Sequence, residues 1–396
     1  MKIHTVKRGE SLADIAEAYG VPRKLLAALN GIKERTALTV GEELVVTLPT
    51  RTYTAKSGDT VDRVALRFGI RKCELLSQNP HISGGRLTVG DELILRLSDP
   101  PTSAAASGGV LYRGTSEEQL LRALPYLTYV SVSSAVVGDG KIGRIYDPKG
   151  ALKIINDAGK IPLMRITDNG TGEKYMDKGR REAFTDELVD YAKKGGFKGI
   201  TLAVGSASRG SDSCFAEFLV ELRRKMIGED LILITECDER GPLFLSELSD
   251  GAIFYCDRCG KDKESSFDAY ERASIMAFAS EAESSKSFLD VSPFATFCEE
   301  FITQDEALTL ARRCSAEILT DEKSLVSSFE YKGKRVYFPS LKNVKAKLEL
   351  AAELGFMGIS LDIMRAPTSH LAMLGASFKA MSYAGLSSIG GCSRES

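Results

Sequence analysis

His4-Thr5-Val6-Lys7-Arg8-Gly9-Glu10-Ser11-Leu12 returns, after a shift of 49 residues, as Tyr53-Thr54-Ala55-Lys56-Ser57-Gly58-Asp59-Thr60-Val61. The match continues without a gap. Ala16 answers Ala65, Tyr19-Gly20-Val21 answers Phe68-Gly69-Ile70, and Asn30 answers Asn79. Leu38-Thr39-Val40-Gly41 is repeated as Leu87-Thr88-Val89-Gly90. A fixed period of this size marks one supersecondary unit used twice. Each unit reads as strand, helix, helix, strand. Ile3 to Val6 is a short strand, and Ser11 and Thr60 stand where helix N-caps belong. Leu12, Ile15, Ala16 and Tyr19 recur at helical spacing. Gly20 stops that helix, Pro22 opens a second one running to Leu29, and Leu38 to Leu48 holds a turn and the closing strand.

Over the whole of both units this pattern resembles the LysM module. The resemblance implies binding of N-acetylglucosamine-containing glycans, chiefly peptidoglycan and chitin, in a groove between two loops. In the first unit those loops are Gly9-Glu10-Ser11-Leu12 and Asn30-Gly31-Ile32. In the second they are Gly58-Asp59-Thr60-Val61 and Asn79-Pro80-His81-Ile82. Loop amides can bond an acetamido group while an aliphatic side chain packs on its methyl. Leu12, Ile15 and Val40 read as core rather than as ligand contacts. Two copies would raise avidity on a polymer without any new kind of contact.

The rest of the composition narrows the function classes. The chain has 396 residues, 43% apolar and 27% charged, with a formal net charge of −2, no Trp and three His. That balance gives no bulk attraction to nucleic acid or anionic lipid. No apolar run approaches the roughly 20 residues of a membrane span, so no membrane insertion is expected. Met1-Lys2-Ile3-His4 leads into polar sequence with no apolar signal region. Synthesis in the cytoplasm without a signal peptide is therefore expected. The eight cysteines, Cys73, Cys214, Cys237, Cys256, Cys259, Cys298, Cys314 and Cys392, are too dispersed for a disulfide scaffold and read as free, mostly buried thiols. Neither a metal nor a cofactor is expected. Cys256-Asp257-Arg258-Cys259, with Cys237 and Cys298 on flanking strand ends, is the one arrangement that could hold zinc or act as a redox pair.

Residues 2–49 and 52–98 thus form two small α+β units. Residues 99–109, rich in Pro, Ser, Ala and Gly, read as a linker, and 386–396 as a disordered tail. Between them, 110–385 alternates strand and helix patterns. The candidate strands are Val110–Tyr112, Tyr129–Ser133, Ile161–Ile166, Gly199–Val204, Leu231–Thr235, Gly251–Tyr255, Ser287–Ser292 and Gly358–Ile363. Eight β/α units predict an α/β fold, a TIM-like (β/α)8 barrel. An α+β insertion of about 303–340 holds a helix from Gln304 to Leu319 and a hairpin turning at Lys332-Gly333-Lys334. This domain resembles glycoside hydrolase family 18, and with the tandem modules the pattern is that of bacterial spore-cortex-lytic N-acetylglucosaminidases. The residues that carry the likeness are Ile161 to Asn169, Gly195 to Leu202, and the tail from Phe329 through Gly358-Ile359-Ser360.

The resemblance also exposes a loss. The family's motif, Asp-Gly-x-x-x-Asp-x-Glu, ends the fourth strand. Its last Asp orients the substrate acetamido group, and its Glu is the acid of a substrate-assisted reaction. Here Lys198, Ala203 and Gly205 stand at the three acidic positions. From Tyr191 through Ser211 there is no Asp or Glu, so no other register supplies one. General acid catalysis contributes about 10²–10⁴ in rate. Strand eight lacks the family's aromatic, and the Met-x-Tyr-Asp of strand six becomes Tyr255-Cys256-Asp257-Arg258. The expectation is therefore no catalytic residue. The chain reads as a peptidoglycan-binding pseudo-glycosidase of the spore envelope, cortex or coat. Its partners would be N-acetylglucosamine polymer and other spore-envelope proteins. Two further readings stay open. One is an active peptidoglycan or chitin-type hydrolase with relocated carboxylates, Glu236, Asp238 and Asp257. The other is a protein-interaction scaffold. Asp168, Glu236, Asp238, Asp257, Asp290 and Asp362 all fall near strand ends, and the plainer reading takes such carboxylates as solvated loop groups or as partners of Arg165, Arg240 and Arg258.

Overall fold

The computed structural model describes residues 1–82, 86–101, 104–138, 141–144, 148–168, 177–204, 212–238, 245–255, 267–297 and 300–381. Each repeat unit folds as βααβ. In the first, Lys2–Thr5 pairs antiparallel with Glu43–Val46 around helices Leu12–Tyr19 and Arg23–Leu29. Ser11 and Asp14 form a capping box, and Gly20 ends the helix at φ 63°. The second unit pairs Pro49–Thr54 with Glu92–Leu97 around Val61–Phe68 and Lys72–Gln78. Leu12, Ile15, Leu26 and Leu44 fill the first core; Val61, Val64, Leu75 and Leu93 fill the second.

Eight parallel strands close the large domain into a barrel. They are Ala104–Leu111, Tyr129–Gly138, Ile161–Asp168, Gly199–Val204, Ile232–Asp238, Gly251–Tyr255, Ser287–Asp290 and Gly358–Asp362. The first pairs with both the second and the eighth, which leaves no open edge between them. Helices Lys178–Gly195, Asp212–Gly228, Leu341–Glu353 and Thr368–Ser377 are among those covering the outside.

The expected linker is a correction. Residues 104–109 form most of the first barrel strand, and Ala105, Ala106 and Ser107 are buried. Short side chains there reflect crowding. A Cβ on Gly108 would meet the Tyr129 ring, and one on Gly109 would meet Leu127 and Ile363. Only residues 98–103 separate the second unit's last strand from the barrel.

The insertion also starts earlier than expected. Its five-stranded antiparallel sheet runs in the order Glu300–Ile302, Ala295–Phe297, Lys334–Pro339, Val326–Tyr331, Leu319–Thr320. The expected helix begins at Gln304 but ends at Cys314, where Ser315 turns left-handed at φ 50°. The hairpin turns at Lys332 and Gly333, with φ 50° and 72°, the geometry of a two-residue primed turn.

The two small units are seated on the barrel. Leu25, Leu29, Val45, Ile94 and Leu97 share one apolar core with Leu120, Leu124, Tyr126, Leu371 and Leu374 of the barrel. Helix Thr368–Ser377 follows the eighth strand, so it runs from the barrel mouth toward the base. Gly31 of the first unit lies against Thr368, at the mouth end. Gly375, at the base end, lies against Ser77 of the second unit, and the Tyr126 hydroxyl donates to the Ser77 carbonyl at 2.8 Å.

The first unit is also clamped to the insertion. Arg312 donates to both Glu42 oxygens, at 3.1 and 2.7 Å, and the Ile318 amide donates to the Val40 carbonyl at 2.8 Å. The Glu43 carboxylate accepts the Leu341 amide at 2.7 Å, an acid at the N-terminus of a helix. Gly41 has φ +83°, and a Cβ there would run into the Ile318 carbonyl.

Candidate functional site: the barrel mouth and the two grooves

Alternate residues of each strand point into the barrel. The upper inward layer therefore carries Arg165, Ala203, Glu236, Tyr255, Asp290 and Asp362 from strands three to eight. Its centre is an ion pair. Arg165 Nε donates to Glu236 Oε1 at 2.6 Å and Nη2 to Oε2 at 2.7 Å. Nη1 donates to Thr167 Oγ1 at 3.0 Å, and the guanidinium lies 5.5 Å from the Tyr112 ring centre. The two side chains are 11% and 8% exposed. Burial opposes the charge on Arg165, but the Glu236 carboxylate outweighs it and holds the guanidinium above its ordinary pKa.

The pair bridges strands three and five in front of strand four. In register, Ala203 stands beside Thr167 on one side and Glu236 on the other. A residue as small as Ala leaves that path clear. Ala203 thus sits beside an internal salt bridge.

The remaining carboxylates of this layer are also held. Asp290 accepts the Ser292 amide at 3.2 Å and hydroxyl at 2.8 Å, and burial lifts its pKa to about 7. Asp362 accepts the Met364 amide at 2.9 Å and pairs with Arg365 at 2.5 Å; its pKa is raised by burial. Arg365 in turn lies over Phe294, 5.3 Å from the ring centre. Asp168 is buried. Among the described residues the hydroxyls of Tyr129 and Tyr255 are buried without a hydrogen-bond partner, and burial drives both phenols well above their ordinary pKa.

Of the two plainer expectations for Glu236, a solvated carboxylate or a partner of Arg165, the structure makes the pair and buries the carboxylate. Gly205, Asp257, Arg240, Arg258, Cys256, Cys259 and Cys298 lie outside the described residues, as does the Asp238 side chain. Cys237 is buried and its thiol reaches the Ile253 carbonyl at 3.5 Å. Among the described residues no cluster of three His, Cys, Asp or Glu is arranged to hold a metal. Among them no helix is long and apolar enough to cross a membrane.

In the small units the candidate residues divide. Gly9, Ser11, Gly31, Gly58 and Thr60 are exposed, and Glu10, Ile32, Asp59 and His81 are half-buried. Leu12 and Val61 belong to the cores. The side chains of Asn30 and Asn79 are spent on the fold. Asn79 donates to the carbonyls of Leu75 and Ile94, both at 2.8 Å, and accepts the Ile94 amide at 2.7 Å. Asn30 does the same with Leu26 and Val45. Each amide staples the end of the second helix to the second strand. Glu10 and Asp59 likewise hold their own loops. Glu10 accepts from His4 and the Lys7 amide, both at 2.8 Å. Asp59 accepts from the Tyr53 hydroxyl at 2.6 Å and the Lys56 amide at 2.9 Å. Pro80 is buried, and Ile82 lies in the second unit's core.

The LysM domain family matches residues 4–47 and 53–96. The chain carries two LysM domains. No curated protein is a significant match. Among solved structures, the LysM–barrel chain superposes on the spore cortex-lytic enzyme SleL of Bacillus megaterium with a TM-score of 0.73 at 18% identity, covering 96% of this chain and 98% of that one. SleL of Bacillus cereus gives 0.74 at 18% identity, with 96% and 99% covered. A chitinase from Chromobacterium violaceum matches with a TM-score of 0.60 at 16% identity, over 69% of this chain and 99% of its own. At such identities the likeness is one of fold: two LysM domains and a (β/α)8 barrel of the kind seen in those enzymes.

Sequence reasoning missed how firmly the LysM domains are seated. Glu42 and Glu43 look like their repeat partners Asp91 and Glu92. Nothing local tells that one acidic pair meets Arg312 and a helix N-terminus while the other does not.

Proposed function

We propose that the chain binds N-acetylglucosamine-containing cell-wall glycan through its LysM domains, and that its barrel is a glycosidase-like domain without hydrolytic activity. One observation carries the second half: the bidentate Arg165–Glu236 pair lying in front of Ala203. A general acid must present a protonated oxygen to the glycosidic bond. Both Glu236 oxygens already accept from Arg165, so neither is free for that task. Substrate-assisted chemistry also needs a polar group at position 203 to orient the acetamido arm, and an alanine has none. The likeness to two spore cortex-lytic enzymes favours the spore envelope as the place of action, with its cortex glycan as ligand.

The test is direct. The chain should sediment with purified cortex peptidoglycan. It should release no reducing ends from that polymer or from N-acetylglucosamine oligomers. Turnover that disappears in Glu236→Gln would overturn the non-hydrolytic reading and restore Glu236 as a relocated acid.

A further inference from the structure

The 49-residue repeat lets the two grooves be compared position by position, and they differ on both lips. Helix position three holds Asp14 in the first domain, where it closes the capping box with Ser11. Its counterpart is Arg63. That guanidinium donates to the Gly58 carbonyl at 2.8 Å, so it lies across the first loop of the second domain. On the other lip, Gly31 and Lys33 of the first domain are exposed and Ile32 is half-buried. Their counterparts have turned inward. Pro80 is buried, and Ile82 is 4% exposed, within its own domain's core. His81 faces the seam between the domains, where Lys24 and Asp91 pair at 2.8 Å. Its Nδ1 is buried without a hydrogen-bond partner among the described residues.

We propose that the grooves are unequal: N-acetylglucosamine units bind the first LysM domain, between Gly9–Leu12 and Asn30–Lys33, and the second is a spacer that seats the first on the barrel. The assignment rests on the glycan-binding reading above. An acetamido group needs exposed loop backbone and an apolar contact beside it. The first groove keeps Gly9, Ser11, Gly31 and Lys33 exposed beside half-buried Ile32, with the Ser11 amide held by Asp14 and Gly31 touching Thr368, whereas the second has a guanidinium over one lip and an inward-turned loop as the other. Binding then has the strength of a single site, without the avidity that two linked sites would add.

Hydrogen exchange of the full chain with and without a soluble N-acetylglucosamine oligomer reads this directly. Slowed exchange should appear over residues 8–13 and 30–35 and be absent over 57–62 and 79–82. Equal protection in both domains would overturn the inequality. Protection in neither would remove the glycan-binding reading along with it. A variant pair gives a second measurement. Asp14→Arg, which places the second domain's guanidinium in the first, should weaken oligomer binding by about tenfold or more. Arg63→Asp should leave it unchanged, and loss of binding in Arg63→Asp alone would sink the proposal.

Discussion

Removing either partner of the Arg165–Glu236 pair leaves the other charge stranded in a site only about a tenth exposed. Breaking a buried pair on one side costs about 3–5 kcal/mol. Arg165→Ala and Glu236→Leu should each lower the urea midpoint accordingly, and the double variant should lose less than the two singles together. Strict additivity would show that the pair is not coupled. Two other buried groups set opposite pH dependences. Burial, with the positive charge of Lys347, pushes His370 down to about 3, and neither ring nitrogen has a hydrogen-bond partner among the described residues. The folded state therefore resists taking up a proton that the unfolded chain accepts near pH 6.5. Stability from this group is complete above that pH and is lost progressively as pH falls toward 3. His370→Leu should shift the acid unfolding midpoint to lower pH, and an unchanged midpoint would count against the assignment. Asp290 works the other way. With its folded pKa lifted to about 7 from an ordinary 3.8, it holds a proton that the unfolded chain has released, and stability falls as pH rises through that interval. Asp290→Asn should narrow the gap between urea midpoints at pH 5 and pH 8.

At the scale of the element, two glycines at the same repeat position answer different demands. Gly41 and Gly90 both have positive φ, 83° and 90°. Gly90 has open space around its missing Cβ, while at Gly41 that space is the Ile318 carbonyl. Alanine costs about 1–2 kcal/mol in left-handed backbone at either site. Only Gly41→Ala should also unseat the insertion, with faster exchange of the Ile318 amide, which bonds the Val40 carbonyl. Faster exchange there in Gly90→Ala as well would reduce the effect to backbone strain. The same pair shows where sequence reading stops. Period, caps and apolar spacing are local, so the βααβ units and seven of the eight barrel strands were legible. Arg165 was legible as one candidate partner for Glu236, and the structure pairs them. The docking was not, because Val40-Gly41-Glu42 and Val89-Gly90-Asp91 carry the same local signals. The first barrel strand was misread for a related reason. Ala104 to Gly109 has the composition of a flexible tether, and only the ring of Tyr129 packed on Gly108 reveals that small residues are required there.

At the scale of the molecule, the LysM domains and the barrel share an apolar core rather than a tether. Leu120, Leu124, Tyr126, Leu371 and Leu374 of the barrel are covered in part by Leu25, Leu29, Val45, Ile94 and Leu97. Removing residues 1–98 would return that surface to water, at about 25 cal/mol for each Å² uncovered. It would also free Arg312 from Glu42 and the N-terminus of helix Leu341–Glu353 from Glu43. The truncated barrel should melt well below the full chain or aggregate through its bared flank. The full chain should unfold in one cooperative transition. A truncated barrel with the melting temperature of the intact protein would mean that the domains are independent and the shared core is incidental. This bears on function as well. If the truncated chain fails to bind glycan, the failure could reflect loss of the LysM sites or collapse of the barrel. Point changes in an exposed groove keep the shared core whole, so they separate recognition from stability where truncation confounds them.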